Sequence, residues 1–454
     1  MKMQRRLVLE KQHLLALFSG VVAAVAFFVM YNRFGSSGVT LIQNATNESI
    51  AVKPTQIEKE DIYSSIFCSS NDPAERVCRI RNLYFDADRK VFVLLKHPLM
   101  SHFVNTHVDD ADLRFLDWSS VTNHNTYFWS YQITQNPRML AKPVKVIREK
   151  AHLMKRFLPN NLMHILHDDW LGAWFVGRHL FPGRELYVFF DAYPERPILP
   201  FKRFYDFLGP NIQQHQLATS RIVKFEDAVV GNSKRLTWYQ YGFKSPQGPL
   251  SEIYEEAGQL ISNAAREFFG SIGQSSVASV DVALFSRTRN RKIVNEEELV
   301  SRLREKFTVK VVRFEEMSIE QIVQQLSVSK CVIGIHGSLF SLIPWLPKGA
   351  LVIEIFPYAV PAVNYTPYKT LSKLLQLEYQ AVETKDHNRT IEYPDRPRLL
   401  GGIKHLQPSE QEQILNNTQV LPHKCCRDPN WLFRIYQDTI VDVNYLMEIM
   451  QKFI

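Results

Sequence analysis

Residues 331–358 read CVIGIHGSLFSLIPWLPKGALVIEIFPY, and this stretch leaves few folds open. The apolar run Val332–Ile335 ends at His336-Gly337-Ser338, and a helix-length apolar segment follows to Trp345. Pro347-Lys348-Gly349 then makes a turn, and Ala350–Ile355 is a second buried-strand run. That order is a βαβ unit, the building block of an α/β sheet. A membrane span is excluded, because His336, Lys348, Glu354 and two prolines would have to sit in lipid. At the strand-to-helix junction Gly337 lets the backbone approach a ligand, and the first N–H groups of the helix favour a phosphate. Glu354, near the end of the second strand, is placed to accept bonds from ribose hydroxyls. An ordinary crossover that holds no ligand fits this stretch equally well.

The chain has 454 residues, enough for two or three domains with cores of their own. One segment departs from ordinary globular composition. Leu14–Tyr31 carries no charge and follows Lys2, Arg5, Arg6 and Lys11, with Glu10 as the single acid. Its length and flanks predict a signal anchor spanning the membrane over 14–31, with residues 1–13 in the cytosol and everything after Tyr31 in the lumen. A cleaved signal peptide is the alternative. Four sequons, at Asn44, Asn47, Asn388 and Asn416, fit a lumenal chain as glycosylation acceptors. Residues 32–60 read as a stalk. The net charge of +8 includes four residues of the cytosolic tail, and no nucleic-acid motif accompanies it. A basic lumenal surface suits anionic sugar nucleotides instead.

Five cysteines are too few to be a framework. Cys68 and Cys78 are spaced to close a local loop, Cys425 and Cys426 are adjacent, and Cys331 opens a strand as a core thiol. Ile80–Phe85 and Val91–Leu95 flank Asp86-Ala87-Asp88-Arg89-Lys90 as a hairpin, so this Asp-x-Asp pair reads as solvated turn carboxylates and not as a manganese site. Alternating elements follow: a helix over 160–179, a strand Glu185–Phe190, and a strand or short edge at Val223–Val230. A second alternation opens with a long amphipathic helix from near Leu250 to Phe269 and a strand Val280–Phe285. Next come a helix capped by Asn295, a strand Thr308–Phe314 and a helix Ser318–Leu326. These runs predict two doubly wound lobes facing a cleft, an amino-terminal lobe over 61–249 and a carboxyl-terminal lobe over 250–424, with a helical segment over 425–454.

Three strings carry chemistry. Phe285-Ser286-Arg287-Thr288-Arg289-Asn290-Arg291 sets three arginines at a strand's carboxyl end, where guanidinium groups suit a pyrophosphate. His164, His167 and Asp168 fall on one face of a helix and supply a general base with an orienting partner. A zinc site is the weaker reading, since no third distant ligand is visible. Lys155-Arg156 adds positive charge upstream, and the run Thr237–Phe243 offers Trp238, Tyr239 and Tyr241 to a sugar ring, or to a core.

Together NLMHILHDD (161–169), TWYQYGF (237–243), FSRTRNR (285–291), HG (336–337), EIFPYAV (354–360), YTPYKTL (365–371) and CCRDPNWLFRIYQDT (425–439) resemble the family 61 glycosyltransferases. The resemblance implies a GT-B fold of two Rossmann-like lobes, and an inverting transfer of N-acetylglucosamine from UDP-GlcNAc. It implies as acceptor the O-linked mannose of a glycoprotein such as α-dystroglycan, joined in β-1,4 linkage in the endoplasmic reticulum. Arg287, Arg291, His336, Gly337 and Glu354 match the nucleotide side; Arg156, His164, His167 and Asp168 match the acceptor side. No metal is required of such a fold, although a divalent ion such as manganese is compatible with it. Vertebrate members of this kind continue into a fibronectin type III domain beyond the point that matches Ile454. Transfer to Ser/Thr of EGF domains is the alternative activity within the family, and a sugar-binding lumenal protein without turnover the alternative outside it.

Overall fold

The computed structural model describes residues 62–453 except 71, 73–75, 100–117, 120–129, 192–200, 215–220, 242–247, 251, 274–276 and 422–427. The expected anchor, stalk, Asn44, Asn47 and the Cys425-Cys426 pair lie outside them. Among the described residues no helix is long and apolar enough to cross a membrane.

The amino-terminal half is one nine-stranded mixed sheet. Its strands are β1 (Ser65–Cys68), β2 (Cys78–Asp86), β3 (Val91–Leu95), β4 (Tyr131–Thr134), β5 (Val144–Ile147), β6 (Ala151–Met154), β7 (Leu186–Phe189), β8 (Asn211–Gln214) and β9 (Ile222–Val230). The order β4-β3-β2-β9-β6-β7-β8 joins a parallel block, β9-β6-β7-β8, to an antiparallel block built on β2. A doubly wound lobe is expected to be parallel throughout, and this one is not. The hairpin β2–β3 forms where the turn residues place it. Asp86, however, is buried, its carboxylate accepting the backbone N–H groups of Asp88 and Arg89 at 3.1 and 3.2 Å. Only Asp88 faces solvent, beside Lys142. Cys68 and Cys78 are directly opposed on β1 and β2 and are disulfide-bonded. The stretch read as a strand or short edge is the nine-residue β9 at the sheet's centre, paired with β2 on one side and with β5 and then β6 on the other.

Between β6 and β7 runs helix α1, and it is not a regular α-helix. Residues Leu162–His164 are α, Ile165–Trp170 π, Leu171–Phe175 α and Val176–Leu180 π. Asn161 caps it, accepting the Met163 N–H at 3.0 Å. Helix α2 (Lys202–Leu208) follows β7, and the short pair β10 (Tyr239–Gln240) and β11 (Gly248–Pro249) leads into α3 (Ala257–Ser271), which begins seven residues after the expected start at Leu250.

The carboxyl-terminal half is a five-stranded all-parallel sheet of β12 (Val280–Ser286), β13 (Val309–Arg313), β14 (Ser329–Ile335), β15 (Leu351–Phe356) and β16 (Glu378–Glu383). Its order is β13-β12-β14-β15-β16. Between these strands lie α4 (Glu296–Arg304), α5 (Ile319–Leu326), a 3₁₀ segment Ser338–Trp345 and α6 (Pro367–Leu374). Glu296, Glu297 and Glu298 fill the first turn of α4, and Ser318 and Gln321 form a capping box on α5. The helix of the βαβ unit is thus a tight 3₁₀ run containing Pro344, whose ring removes an N–H that a longer α-helix would need. Successive strand residues point to opposite faces. Ala283, Phe285, Val332 and Val352 enter a core with α3, α5 and α6, while Val282, Leu284, Cys331, Ile333 and Ile353 pack on α4 and α9 (Val443–Phe453). Helices α7 (Pro408–Asn416) and α8 (Pro429–Ile435) and the pair β17 (Thr390–Ile391) with β18 (Asp438–Thr439) complete the chain.

The two sheets do not face each other across an open cleft along their length. One core runs from Met154, Phe189 and α1 through α2 to α3 and the 3₁₀ segment. Trp170 lies 5.7 Å from Phe268 and 6.2 Å from Trp345, and Phe204 stacks on Phe268 at 4.8 Å. Glycine makes one close approach feasible: a Cβ on Gly258 of α3 would stand 2.1 Å from the Leu374 carbonyl oxygen of α6.

Candidate active site

In the carboxyl-terminal sheet the chain goes outward in opposite directions from β12 and β14, so the loops after these two neighbours diverge and leave a crevice at their carboxyl ends. The arginine string follows β12 and His336-Gly337 follows β14. Arg287 donates to the Asn290 backbone oxygen at 3.1 Å and to its side-chain oxygen at 3.3 Å. Arg291, in the left-handed region at φ 54°, donates to the His336 carbonyl at 3.0 Å and lies 5.0 Å from the Tyr436 ring centre. A Cβ on Gly337 would stand 3.0 Å from Nη1 of both arginines, so glycine makes the room in which they converge. Among the described residues neither guanidinium pairs with a carboxylate, and Arg291 Nε is buried without a partner. Burial, then the neighbouring Arg291, lowers Arg287 to about 9, and burial lowers Arg291 as well. Two half-buried cations without a salt bridge, with only the Glu315 carboxylate acting on Arg287 at longer range, suit an anion, because a bound anion would relieve both the desolvation and their mutual repulsion.

Glu354 does not face a ribose. It is fully buried, with Oε1 at 2.5 Å from His336 Nδ1 and Oε2 accepting the Tyr379 hydroxyl at 2.6 Å. Both oxygens serve the protein itself, so Glu354 orients His336 beside the arginines.

In the other half, α1 brings His164, His167 and Asp168 together, and the π turn decides how. Adjacent residues diverge on an α-helix. In the wider π segment, His167 Nδ1 reaches Asp168 Oδ1 at 2.5 Å while His164 Nδ1 lies 2.8 Å from Asp168 Oδ2. His167 Nε2 accepts the backbone N–H groups of Trp238 and Tyr239 at 3.1 and 3.3 Å, so its proton is on Nδ1 and the ring donates to Asp168. With no lone pair left and no exposure, His167 is not a base. Asp168 also accepts the Tyr241 hydroxyl at 2.9 Å and is fully buried. His164 alone of the three has side-chain surface, 9% exposed. The trio therefore resolves into one partly exposed imidazole, His164, a buried carboxylate, Asp168, that orients it, and a second imidazole, His167, that holds the carboxylate. Among the described residues no group of three or more His, Cys, Asp or Glu side chains is arranged to hold a metal.

Three of the four expected acceptor residues are interior. Arg156 is buried in a bidentate pair with Asp191, at 2.6 and 3.0 Å, with its guanidinium 4.3 Å from the Phe189 ring. Trp238 is buried and donates to the Pro367 carbonyl at 2.9 Å, and Tyr239 is buried too. Trp238 and Tyr239 are core, and among the described residues of the run Tyr241 reaches the site, its ring 4.8 Å from that of His164. The two clusters are neighbours across the halves. A cavity of about 260 Å³ is lined by Asn160, Leu162 and Phe201 from one and Ser286, Arg287 and Ser338 from the other. Tyr368 links them, within electrostatic reach of Arg287, Arg291 and Glu354 on one side and Tyr241 on the other. Tyr368 and Tyr436 lie inside the strings YTPYKTL and CCRDPNWLFRIYQDT, which flagged their segments but not these rings; nothing in the sequence flagged Tyr379. Asn388 and Asn416 are both exposed, as glycan acceptors would be.

An α/β chain with a switch-point anion site and a carboxylate-oriented imidazole beside it is built to handle a phosphorylated donor and an acceptor that gives up a proton. The Glycosyltransferase 61 family model matches residues 151–353, the span from β6 into β15. A Xenopus laevis protein named "Protein O-linked-mannose beta-1,4-N-acetylglucosaminyltransferase 2" is 36% identical over 399 residues, covering 85% of this chain and 68% of its own. The Homo sapiens protein of the same name is 32% identical over 467 residues, 97% of this chain and 80% of its own. The chain belongs to glycosyltransferase family 61 and is an enzyme, a glycosyltransferase.

Proposed function

We propose that the chain moves N-acetylglucosamine from UDP-GlcNAc to O-linked mannose of a glycoprotein such as α-dystroglycan, forming a β-1,4 linkage with inversion. The observation that carries this reading is the convergence of Arg287 and Arg291 on Gly337, without a salt bridge among the described residues, at the switch point. The two parallel portions act as the Rossmann-like halves of a GT-B enzyme. Arg287 and Arg291, with His336 beside them, hold the diphosphate. His164 takes the proton of the mannose hydroxyl, whose oxygen attacks the anomeric carbon from the face opposite UDP. The C–O bond to the β-phosphate breaks, and the arginines neutralise the leaving charge. The transferred sugar, the O-linked mannose and the linkage rest on the names of the relatives, and UDP and α-dystroglycan on the family resemblance. No step here calls for a metal, and manganese is tested as an addition.

The test is transfer by the purified chain from a panel of UDP-sugars to an O-mannosyl peptide and to an EGF domain, with and without manganese. UDP-GlcNAc with the O-mannosyl peptide is the expected productive pair. Transfer only to the EGF domain overturns the acceptor, and another preferred UDP-sugar overturns the donor. The uncharged run Leu14–Tyr31 behind four basic residues supports a single-pass type II anchor in the endoplasmic reticulum membrane. Protease added to sealed microsomes should then spare everything after Tyr31; digestion of the catalytic part would reverse the topology.

A further inference from the structure

The π segment that sets the trio needs something to hold its register. A π turn is a poorer helix than the α turns around it, and where five-residue bonding gives way to four-residue bonding, backbone carbonyls are loosened from their helical partners. The carbonyls at that place belong to Asp168 and Asp169, and one side chain takes both. Asn232 Nδ2 donates to the Asp168 oxygen at 3.0 Å and to the Asp169 oxygen at 2.9 Å. Its Oδ1 accepts the Ser233 N–H at 3.1 Å, which fixes the amide orientation. Asn232 is buried and leaves the central strand β9 through Gly231, at φ 104°, whose carbonyl accepts from His152 Nε2 at 2.7 Å. Opposite stands Gly172, where a Cβ would lie 2.7 Å from Asn232 Oδ1 and 2.6 Å from the Ser233 oxygen. The amide is thus delivered from the middle of the sheet, held on its own side, and given space by a missing side chain.

We infer that Asn232 is a positioning residue for transfer: it fixes the π register of α1 at Asp168, and so fixes the carboxylate against His164. The inference rests on the reading of His164 as the base. Asn232 touches no reacting atom. Its effect passes through the Asp168 backbone, whose side chain would swing away from His164 if the segment reverted to α-helical bonding. An aspartate in its place presents an oxygen where two carbonyls need a donor, with almost no change of shape. A serine removes the donor and keeps a small polar residue.

The experiment measures kcat, KM and UDP affinity for Asn232→Asp, Asn232→Ser and His164→Ala in the full-length chain. Asn232→Asp should lower kcat by about 10- to 100-fold with KM for donor and UDP affinity unchanged. Should Asn232→Asp fail to fold, Asn232→Ser carries the same expectations. If folded Asn232 variants keep wild-type kcat, the inference falls. It falls equally if kcat and UDP affinity decline together, since that is general loosening. A His164→Ala enzyme with normal turnover removes the base reading itself, whatever Asn232 does; an inactive His164→Ala beside normal Asn232 variants removes only the role of Asn232.

Discussion

Two arginines in one loop serve different tasks, and their contacts separate them. Arg287 is braced by its own loop through Asn290, whereas Arg291 is turned into an unfavourable backbone region and spends one N–H on the His336 carbonyl. Neither forms a salt bridge among the described residues, and Glu315 acts on Arg287 only at longer range. Arg287→Ala should therefore weaken UDP binding by about 1.5–3 kcal/mol, roughly ten- to a hundred-fold, read by calorimetric titration. Unchanged affinity in a folded Arg287→Ala, Arg291→Ala double variant would make the loop a plain basic surface. The histidines divide in the same manner. His164→Ala should lower turnover by about 10²–10⁴-fold with UDP binding intact, since the proposed diphosphate contacts, Arg287 and Arg291, belong to the other half. His167→Ala removes a buried ring that bonds two backbone N–H groups, so its loss should appear first as lowered thermal stability. Normal stability with abolished turnover in His167→Ala would reverse the assignment.

The elements that bear these residues are held by contacts between backbones. Helices α3 and α6 meet where Gly258 lies against the Leu374 carbonyl, and a methyl group there has nowhere to go. Gly258→Ala should cost about 1–3 kcal/mol and lower the Tm by several degrees, measured by thermal unfolding. A stability unchanged within error would show that α6 can slide. This scale also shows what was legible in the sequence. The βαβ unit, the β2–β3 hairpin, the caps of α4 and α5 and the arginine string after β12 could all be read, because each depends on local periodicity or turn chemistry. The order of strands could not, nor the antiparallel block, because pairing partners are remote in sequence. The trio was legible as one helical face, yet its actual bonding depends on a π turn stabilised from β9, some sixty residues away. Glu354, Arg156 and Trp238 were read as facing ligand because charge and aromaticity mark both a site and the buried network that supports it. Only the partners, His336, Asp191 and the Pro367 carbonyl, tell these apart.

For the molecule as a whole, the core shared by both halves means that loss of the central sheet should unfold everything, and one buried histidine makes this testable by pH. His152 lies on β6 between β9 and β7, fully buried, donating through Nε2 to Gly231. Burial lowers its pKa to about 4, with the nearby Arg184 charge acting in the same direction against the backbone bond. The unfolded imidazole titrates near 6.5, so between about pH 6.5 and pH 4 the unfolded chain binds a proton that the folded chain refuses, and stability falls as pH falls through that window. Two carboxyls act differently. Asp227, held below the usual range by Arg79 and Arg184, loses its contribution only at more acidic pH. Asp169, pushed well up by burial and by Asp168, favours the folded state as pH falls, and so opposes His152 within part of the same window. The diagnostic quantity is therefore the difference between wild type and His152→Gln, whose side-chain amide can still donate to Gly231 without titrating. Urea unfolding at pH 7, 6 and 5 should show wild type losing stability relative to the variant by up to about 1.4 kcal/mol per pH unit below pH 6.5. Parallel curves, offset equally at every pH, would mean that His152 is not the group that ties acid stability to the centre of the sheet.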